Sequence, residues 1–194
     1  QQVRNWVPAA PVIHIDDSDV VKQDGYKFES LGIVRDGSES TSTKNVYKKR
    51  YHVTEACVLT TSNHPVSIFS KIHSSAEKGY KSANVITFEA MEQGAALFKR
   101  ATFCMDRGYD DNKMFLKLDE LQQDYVIRLT AKRKLFFHGK WVPATQLRNQ
   151  RKGKIKTTLT YKGQKHEACL SHVKVQITAS KKDIYLVLVY GITE

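Results

Sequence analysis

Two groups of acidic residues, about ninety positions apart, are the part of this chain best suited to chemistry. Asp16, Asp17 and Asp19 follow one β-branched run, and Asp106 follows a second apolar run. Carboxylate oxygens are the ligands that Mg²⁺ prefers, and a pair of such cations can assist in-line displacement at a phosphodiester. Acids after strands are also common in turns and helix caps, so the pattern alone leaves both roles open.

The elements that must position these acids follow from hydrophobic periodicity. Short β-branched runs indicate strands, and apolar residues spaced by three or four indicate helices. The acids are expected at the carboxyl ends of the first and fourth strands. We predict strands at residues 12–15, 51–60, 66–72, 101–105 and 125–129, and a short irregular strand at 27–34 that is not counted among them. We also predict a helix from about Thr87, with Thr87 or Asn84 as its N-cap, and a second helix capped by Asp110 or Asp111.

The order of these elements is strand, strand, strand, helix, strand, helix, strand. Strand–helix–strand connections imply parallel pairing on one side of a mixed sheet. This order is typical of an α/β, ribonuclease H-like fold, in which the first and fourth strands are parallel neighbours. We therefore expect Asp16 and Asp106 to meet at one edge of the sheet.

In the remainder of the chain, the sequence pattern predicts hairpins and no convincing helix. Strands are expected at 134–141, turning at His138-Gly139, and at 154–161, 168–179 and 184–190, with a polar linker over 148–153. The predicted domains are residues 1–133, the first part of a ribonuclease H-like core with flanking helices, and residues 134–194, a β-rich insertion lobe.

The charge balance favours a polyanionic partner. The chain has 31 Lys and Arg against 20 Asp and Glu, a net charge of +11. Residues 125–166 contain twelve basic residues and no acid, and we favour DNA contact over a merely solvated surface. These basic residues are Arg128, Lys132, Arg133, Lys134, Lys140, Arg148, Arg151, Lys152, Lys154, Lys156, Lys162 and Lys165.

Neither a membrane nor an oxidising compartment is indicated. The longest apolar stretch, residues 184–192, is less than half a membrane span. Cys57, Cys104 and Cys169 are odd in number and widely spaced, which suits reduced, buried thiols in a cytoplasmic protein. We therefore expect a cytoplasmic protein without membrane contact.

Two motifs resemble insertion-sequence transposases of the DDE type, specifically the insertion-sequence-four group. The first is residues 13–22, IHIDDSDVVK, followed by Lys27-Phe28-Glu29 and Val34-Arg35-Asp36-Gly37-Ser38. The second is Met105-Asp106-Arg107-Gly108-Tyr109-Asp110, followed by residues 124–129 and Arg133. The resemblance covers most of residues 12–133, and the β-rich lobe matches the placement of an insertion found in that family.

The resemblance implies a metal-dependent DNA transposase. Family members bind two Mg²⁺ or Mn²⁺ ions, and Asp16 and Asp106 match the positions of two ligands. Asp19 is implied as a supporting residue, and Asp17 remains the alternative to Asp16 because a register error of one would exchange them. The implied partners are the terminal inverted repeats of a mobile element and target DNA, bound by a homodimer at the bacterial nucleoid.

One feature of the family is missing from the pattern. We find no helix bearing the family's glutamate, so we expect the third acid to lie beyond Glu194 and this fragment by itself to be inactive. Two other functions stay open: a ribonuclease H-like nuclease without strand transfer, and a domesticated transposase that only binds DNA.

Several basic residues are candidates for phosphate contacts, each with an alternative role. Arg107 is expected to contact a phosphate or to pair with a neighbouring carboxylate, and Arg128 and Arg133 to contact the DNA backbone or form buried pairs. Trp141 is expected either to stack on a base or, more commonly for tryptophan, to lie in the core. The candidate DNA-binding residues are Arg128, Arg133, Lys134, Lys140, Arg148, Arg151, Lys152 and Lys154.

Overall fold

The apolar runs fold into a mixed α/β protein that is rich in strands, with two sheets and few helices. The computed structural model describes residues 5–36, 39–161, 163–178 and 180–191. The strands of the first sheet are β1 (Val12–Val21), β2 (Gly32–Arg35), β3 (Tyr47–Leu59), β4 (Pro65–His73), β5 (Thr102–Met105) and β6 (Asp124–Ile127). Those of the second sheet are β7 (Lys134–Phe137), β8 (Lys140–Pro143), β9 (Ile155–Tyr161), β10 (Gln164–Ile177) and β11 (Ser180–Tyr190). The helices are α1 (Ala83–Leu97), α2 (Asn112–Glu120) and α3 (Ala144–Asn149), with a 3-10 turn at Arg107–Tyr109.

The first sheet has a parallel side and an antiparallel side. Strand β1 pairs with β5 in parallel, and β5 with β6 in parallel, which confirms the predicted neighbours. On its other side β1 pairs antiparallel with β3, and β3 pairs with both β2 and β4. Helix α1 covers one face, where Ile13, Ala56, Phe103 and Met91 are fully buried.

Helix α1 approaches the first sheet closely because it has a glycine at the point of contact. A Cβ on Gly94 would lie 2.8 Å from Ile13 Cδ1 and 3.0 Å from Phe103 Cζ, so a side chain does not fit there. The helix is therefore held directly above the strands that carry the acidic motifs.

The second sheet is antiparallel, with β10 at its centre. Strand β10 pairs with β9, β11 and β7, and β7 pairs with β8. The β7–β8 hairpin turns at His138 and Gly139, whose φ angles of 47° and 77° suit a two-residue hairpin turn, as predicted. Aliphatic side chains fill its core, including Leu135, Val175 and Leu186.

The chain divides into two compact units. The first unit comprises residues 1–109 with 117–127, and the second comprises residues 110–116 with 128–194. The boundary predicted after Arg133 lies six residues from the division at 127.

Several predicted bounds are wrong. Helix α1 begins at Ala83 after the extended N-cap Ser82, so Asn84 and Thr87 lie inside the helix. Thr87 donates its hydroxyl proton to the Ala83 carbonyl, 3.2 Å away, as a threonine inside a helix can. Asp111, by contrast, accepts the Lys113 N–H at 2.8 Å and caps α2 as predicted.

The second half of the chain contains a helix that periodicity missed. Helix α3 has six residues, too few for a hydrophobic repeat, and buries Leu147. Arg148 and Asn149 thus belong to this helix and not to the predicted linker. Arg128 lies just beyond the end of β6 and is not mid-strand, and the strand predicted at 27–34 forms only at Gly32–Arg35.

Some predicted features fall outside the described residues: Gly37 and Ser38 of the first motif, Lys162 of the basic stretch, the strand end at Ala179, the end of the longest apolar stretch at Ile192, and Glu194. Within the described ranges the longest helix has 15 residues, and no helix combines the length and apolarity that a membrane span requires. The three cysteines, Cys57, Cys104 and Cys169, are free as predicted, although half-buried.

Candidate functional site

Asp16 and Asp106 occupy neighbouring positions where the pairing of β1 with β5 ends. The last pair in the parallel register is Ile15 with Met105, and each aspartate is the next residue along its strand direction. Strand β5 stops there, whereas β1 continues to Val21, paired with β3. The acids of the first motif therefore lie within a strand and not in a loop after it, which corrects the predicted end of β1.

Strand alternation separates the acids of β1 onto two faces. Asp17 and Asp19 are odd-numbered like the buried Ile13 and Ile15, so they lie on the same face of β1, the face that α1 covers. Asp16 lies on the opposite face. The part of β1 that carries the acids extends beyond β5, and Asp16, Asp17 and Asp19 are exposed there.

Asp16 and Asp106 are both exposed, and each accepts a local backbone hydrogen bond. Asp16 Oδ1 accepts the Asp17 N–H at 3.0 Å, and Asp106 Oδ1 accepts the Gly108 N–H at 2.6 Å. Each carboxylate is thereby oriented by the backbone while its other oxygen stays available to a ligand.

Tyr109 lies beside three acids, Asp16, Asp17 and Asp106. The residue is 6% exposed, and its buried hydroxyl lies beside the Asp17 carboxylate. Burial raises the pKa of Tyr109, and the Asp17, Asp16 and Asp106 carboxylates raise it further. The phenol therefore faces the carboxylates of both motifs. Its place in the second motif, three residues after Asp106, was the one signal for it in the sequence.

A chain of hydrogen bonds continues from Asp17 into the core. Thr54 Oγ1 donates to Asp17 Oδ1 at 2.5 Å and lies 2.9 Å from His73 Nε2. Thr54 is fully buried and His73 is 1% exposed. Burial lowers the pKa of His73, and the nearby His52 lowers it further, so the imidazole is held neutral. Sequence reasoning missed this chain, because its members come from three strands.

Asp19, the predicted supporting residue, is engaged in ion pairs. Its carboxylate pairs with Arg50 and, at 2.8 Å, with His52 Nδ1. The Arg50 guanidinium is mostly buried and also donates to the Arg35 carbonyl at 2.6 Å. Asp19 therefore balances a buried positive charge on the same face as Asp17.

Asp16 and Asp106 suit a hard divalent cation. Both offer exposed carboxylate oxygens, the donors that Mg²⁺ and Mn²⁺ prefer. Within the described ranges, groups of three or more His, Cys, Asp or Glu side chains arranged to hold a metal are absent. Asp16 and Asp106 are thus two exposed carboxylates without a third such residue arranged beside them in the described ranges.

Arg133 is a structural residue of the second unit. Its Nε donates to Asp110 Oδ1 at 2.7 Å, its Nη1 donates to Asn112 Oδ1 at 2.7 Å, and its guanidinium lies 5.2 Å from the Phe115 ring centroid. The side chains of Arg133 and Asp110 are 12% and 1% exposed. Of the two roles open from the sequence, the buried pair is the one observed.

An open cavity of about 270 Å³ adjoins this buried pair. Arg133 neutralises Asp110 there, so the two exposed lysines that line the cavity, Lys132 and Lys134, give it a positive charge. Thr130 and Thr178 complete its lining. A phosphate group matches the charge of this cavity.

The other candidate DNA-binding residues lie mostly at the surface. Arg128, Lys134, Lys140, Arg148, Lys152 and Lys154 are exposed, and Arg151 is half-buried. Arg148 lies over the Tyr190 ring at 5.7 Å, and Arg151 over the Phe137 ring at 5.3 Å. Residues 128–194 contain 15 Lys and Arg against three Asp and Glu, whereas residues 1–127 contain 16 against 17. The positive charge of the chain thus belongs almost entirely to residues 128–194.

Two further candidates are accessible at the surface. Arg107 is exposed on the 3-10 turn directly after Asp106. Trp141 is 48% exposed and packs against Phe136, with the ring centroids 5.3 Å apart. Trp141 is therefore not a core residue, and part of its ring is available for stacking.

Comparison of the sequence with protein-family models and with curated proteins finds no match, so the assignment of a function depends on the geometry above.

Proposed function

We propose that this chain carries the catalytic core of a DDE-type transposase, which cleaves and transfers DNA strands with the help of divalent cations. The observation that carries the proposal is the adjacency of Asp16 and Asp106 where β5 ends. The first sheet supports it because β1, β5 and β6 run parallel on one side and β3, paired with β2 and β4, lies antiparallel to β1 on the other, and a ribonuclease H-like sheet is also mixed in this way.

The residues fit the cofactor that this function requires. Asp16 and Asp106 would hold Mg²⁺ or Mn²⁺ through carboxylate oxygens, and both carboxylates are exposed where the pairing of β1 with β5 ends. When bound, such cations stabilise negative charge on the oxygens of a phosphodiester under attack. The protein's own contribution is to hold two carboxylates at adjacent positions of a rigid sheet.

DNA is the proposed partner, and the second unit is the proposed contact surface. Its exposed cations include Lys134, Lys140, Lys152 and Lys154, and residues 128–194 carry three acids in total. Such a surface tracks a phosphate backbone without reading its sequence. Two copies of the protein would hold the two ends of a mobile element.

Cleavage of element-end DNA tests this function. The gene product that contains this sequence is incubated with Mg²⁺ and DNA carrying the inverted repeats that flank its gene. We expect nicks at the repeat ends and joined products, both lost in Asp16→Asn and Asp106→Asn. Asp24→Asn is the matched control because Asp24 is an exposed acid of the loop between β1 and β2.

Three outcomes would contradict the proposal. Cleavage that persists at the normal rate in Asp16→Asn or Asp106→Asn would reject the two ligands. Nicks without joined products would indicate a nuclease of the same fold. Salt-sensitive DNA binding without any metal-dependent cleavage would indicate a DNA-binding module.

A further inference from the structure

One face of the second sheet carries a row of aromatic and polar side chains that crosses four strands. In the strand registers Trp141 lies opposite Phe136, and Phe136 lies opposite Gln176. Gln176 in turn lies opposite Asp183. Directly opposed residues of neighbouring strands point to the same face, so these four side chains form one row over β8, β7, β10 and β11. The buried Val175 precedes Gln176 along β10, so the row lies on the face opposite the aliphatic core.

The aromatic end of this row is accessible to solvent. Trp141 is 48% exposed and Phe136 is half-buried, and their ring centroids lie 5.3 Å apart. An open cavity of about 280 Å³ adjoins Phe136 and is also lined by His138, Lys174 and Gln176. A flat ring from another molecule can therefore stack on the exposed part of the indole.

The polar end of the row supplies hydrogen-bonding groups. Gln176 Nε2 donates to Asp183 Oδ1 at 2.9 Å, and Lys174 Nζ lies 2.9 Å from Asp183 Oδ2. The hydrogen bond from Gln176, and then that from Lys174, lowers the pKa of Asp183, so its carboxylate stays ionised. A carboxylate repels a phosphate, but it accepts the amino group of a nucleobase such as cytosine. The polar end therefore suits the edge of a base better than a DNA backbone.

The length of the row and its charge indicate what binds there. Neighbouring strands lie about 4.8 Å apart, so the row is about 14 Å long and its two ends engage different bases of one strand. Residues 128–194 contain 15 Lys and Arg against three Asp and Glu, and Lys174 is exposed beside the row. Proteins that bind single-stranded nucleic acid combine such a positive field with aromatic rings on which bases stack. A duplex keeps the faces of its bases inside the stack, so exposed rings select unpaired bases.

We propose that this face of the second sheet binds unpaired bases of single-stranded DNA, with Trp141 and Phe136 as stacking residues and Gln176 and Asp183 as contacts to a base edge. The inference takes DNA as the partner from the function proposed above, but it does not depend on the two proposed metal ligands. A surface that only attracts phosphates would bind duplex DNA at least as well and would not need the indole. The preference for single strands is therefore the property to measure.

Fluorescence anisotropy with labelled oligothymidine, and with a labelled duplex of equal length, tests the aromatic end. At physiological salt we expect Trp141→Ala to weaken oligothymidine binding about tenfold and to leave duplex binding unchanged. Trp141→Phe keeps a stacking ring and should lose less. Trp6→Ala is the matched control, because Trp6 is 65% exposed but belongs to the first unit, and it should change neither affinity.

The polar end is tested by the ratio of oligocytidine affinity to oligothymidine affinity. Asp183→Ala should lower this ratio about fivefold, because cytosine has the amino group that the carboxylate accepts. The loss of one negative charge affects both oligonucleotides alike, so it cancels in the ratio. An unchanged ratio would overturn the role of Asp183.

Trp141 emission in a Trp6→Phe background gives a direct readout, since stacking on a base quenches indole fluorescence. We expect oligothymidine to quench it. The inference is overturned if this emission is unchanged when the oligonucleotide is bound, or if Trp141→Ala weakens duplex and oligothymidine equally. Tighter binding of oligouridine than of oligothymidine would overturn the assignment to DNA.

The two proposals can fail separately. Quenched Trp141 emission in a protein without metal-dependent cleavage would reject the proposed catalysis and support this surface. Cleavage by a protein whose Trp141 emission does not respond to single strands would leave the proposed function standing and reject the surface.

Discussion

The two sheets of this protein differ in how they use polar residues. The first sheet is mixed, ends its parallel pairing at two aspartates, and buries Thr54, His73 and most of Arg50 beneath the acids of β1. The second sheet is antiparallel, has an aliphatic core and displays lysines and arginines at its surface. The first can orient a few carboxylates, and the second can attract a polyanion.

The two sheets hold polar groups in place and concentrate charge by separate physical means. Buried polar side chains are unfavourable unless they are hydrogen-bonded, so a chain such as His73–Thr54–Asp17 is stable only in one arrangement. Surface cations need no such partners and interact through a long-range, salt-screened field. A catalytic centre needs the first kind of arrangement, and a DNA-contact surface needs only the second.

The largest expected effect concerns the Asp110–Arg133 pair. This is a buried ion pair in the second unit, whose core is otherwise described by its aliphatic side chains. Asp110→Ala leaves the Arg133 guanidinium buried without its carboxylate, which should destabilise the unit by about 3–5 kcal/mol. Urea unfolding followed by Trp141 fluorescence in a Trp6→Phe background measures it. Asp183→Ala, which removes an exposed pair with Lys174, should change stability little. Equal stabilities of the two variants would contradict the structural role of Arg133.

The next effect tests whether DNA contact belongs to the second unit. Replacing Arg148, Arg151, Lys152 and Lys154 together by Gln should make the plot of log affinity against log salt shallower by up to about four units. Fluorescence anisotropy with labelled duplex DNA between low and physiological salt measures this slope.

The control for this experiment removes the same charge from the first unit. Its four substitutions to Gln are at Lys22, Lys27, Lys44 and Lys78, which are exposed. A slope that falls equally in both quadruple variants would show that net charge, and not the second unit, determines DNA binding.

A smaller effect concerns packing in the first unit. Gly94→Ala brings a methyl group to 2.8 Å from Ile13 Cδ1, which should cost about 1–3 kcal/mol in spite of the better helix propensity of alanine. Chemical denaturation measures it, and Ile13→Val in the same background should recover part of the loss because Cδ1 is removed. Gly139→Ala in the second unit meets no atom within 4 Å, so only its left-handed backbone opposes it. A stabilising Gly94→Ala would refute the close approach of α1.

The smallest expected effect is a dependence of the first unit's free energy of unfolding on pH. Burial lowers the pKa of His73 in the folded chain, and the nearby His52 and Lys71 lower it further. The carboxylates of Asp17 and Glu77 raise this pKa in part. The imidazole of the unfolded chain is therefore protonated near its ordinary pKa, whereas that of the folded chain is protonated only at lower pH. The free energy of unfolding consequently falls as the pH drops below about 6.5. Urea midpoints at pH 7.5 and 5.5 measure it.

His73→Gln should reduce this dependence, whereas His64→Gln, in the exposed turn before β4, should not. If His73→Gln retains the full dependence, the neutral state of the buried imidazole does not contribute to it.

Much of the first sheet was predictable because its signals are local. The apolar runs before Asp16 and Asp106 indicate strands, the helix between them implies a crossover, and a crossover makes the strands parallel. The end of β1 was not predictable, because residues 16–19 are polar and become part of the strand only through pairing with β3. Helix α3 was missed for a related reason, since six residues are too few to show a period.

Three features follow from the amino-acid sequence alone: the order of the strands, the positions of the acidic motifs where parallel pairing ends, and the excess of basic residues in 128–194. These depend on composition and on repeats of two to four residues. Three others come from the three-dimensional fold: Asp17 and Asp19 share one face of β1, Tyr109 lies beside the carboxylates, and Arg133 pairs with Asp110. Each of these depends on register, burial and the direction of a side chain, which are set by contacts between residues distant in the chain.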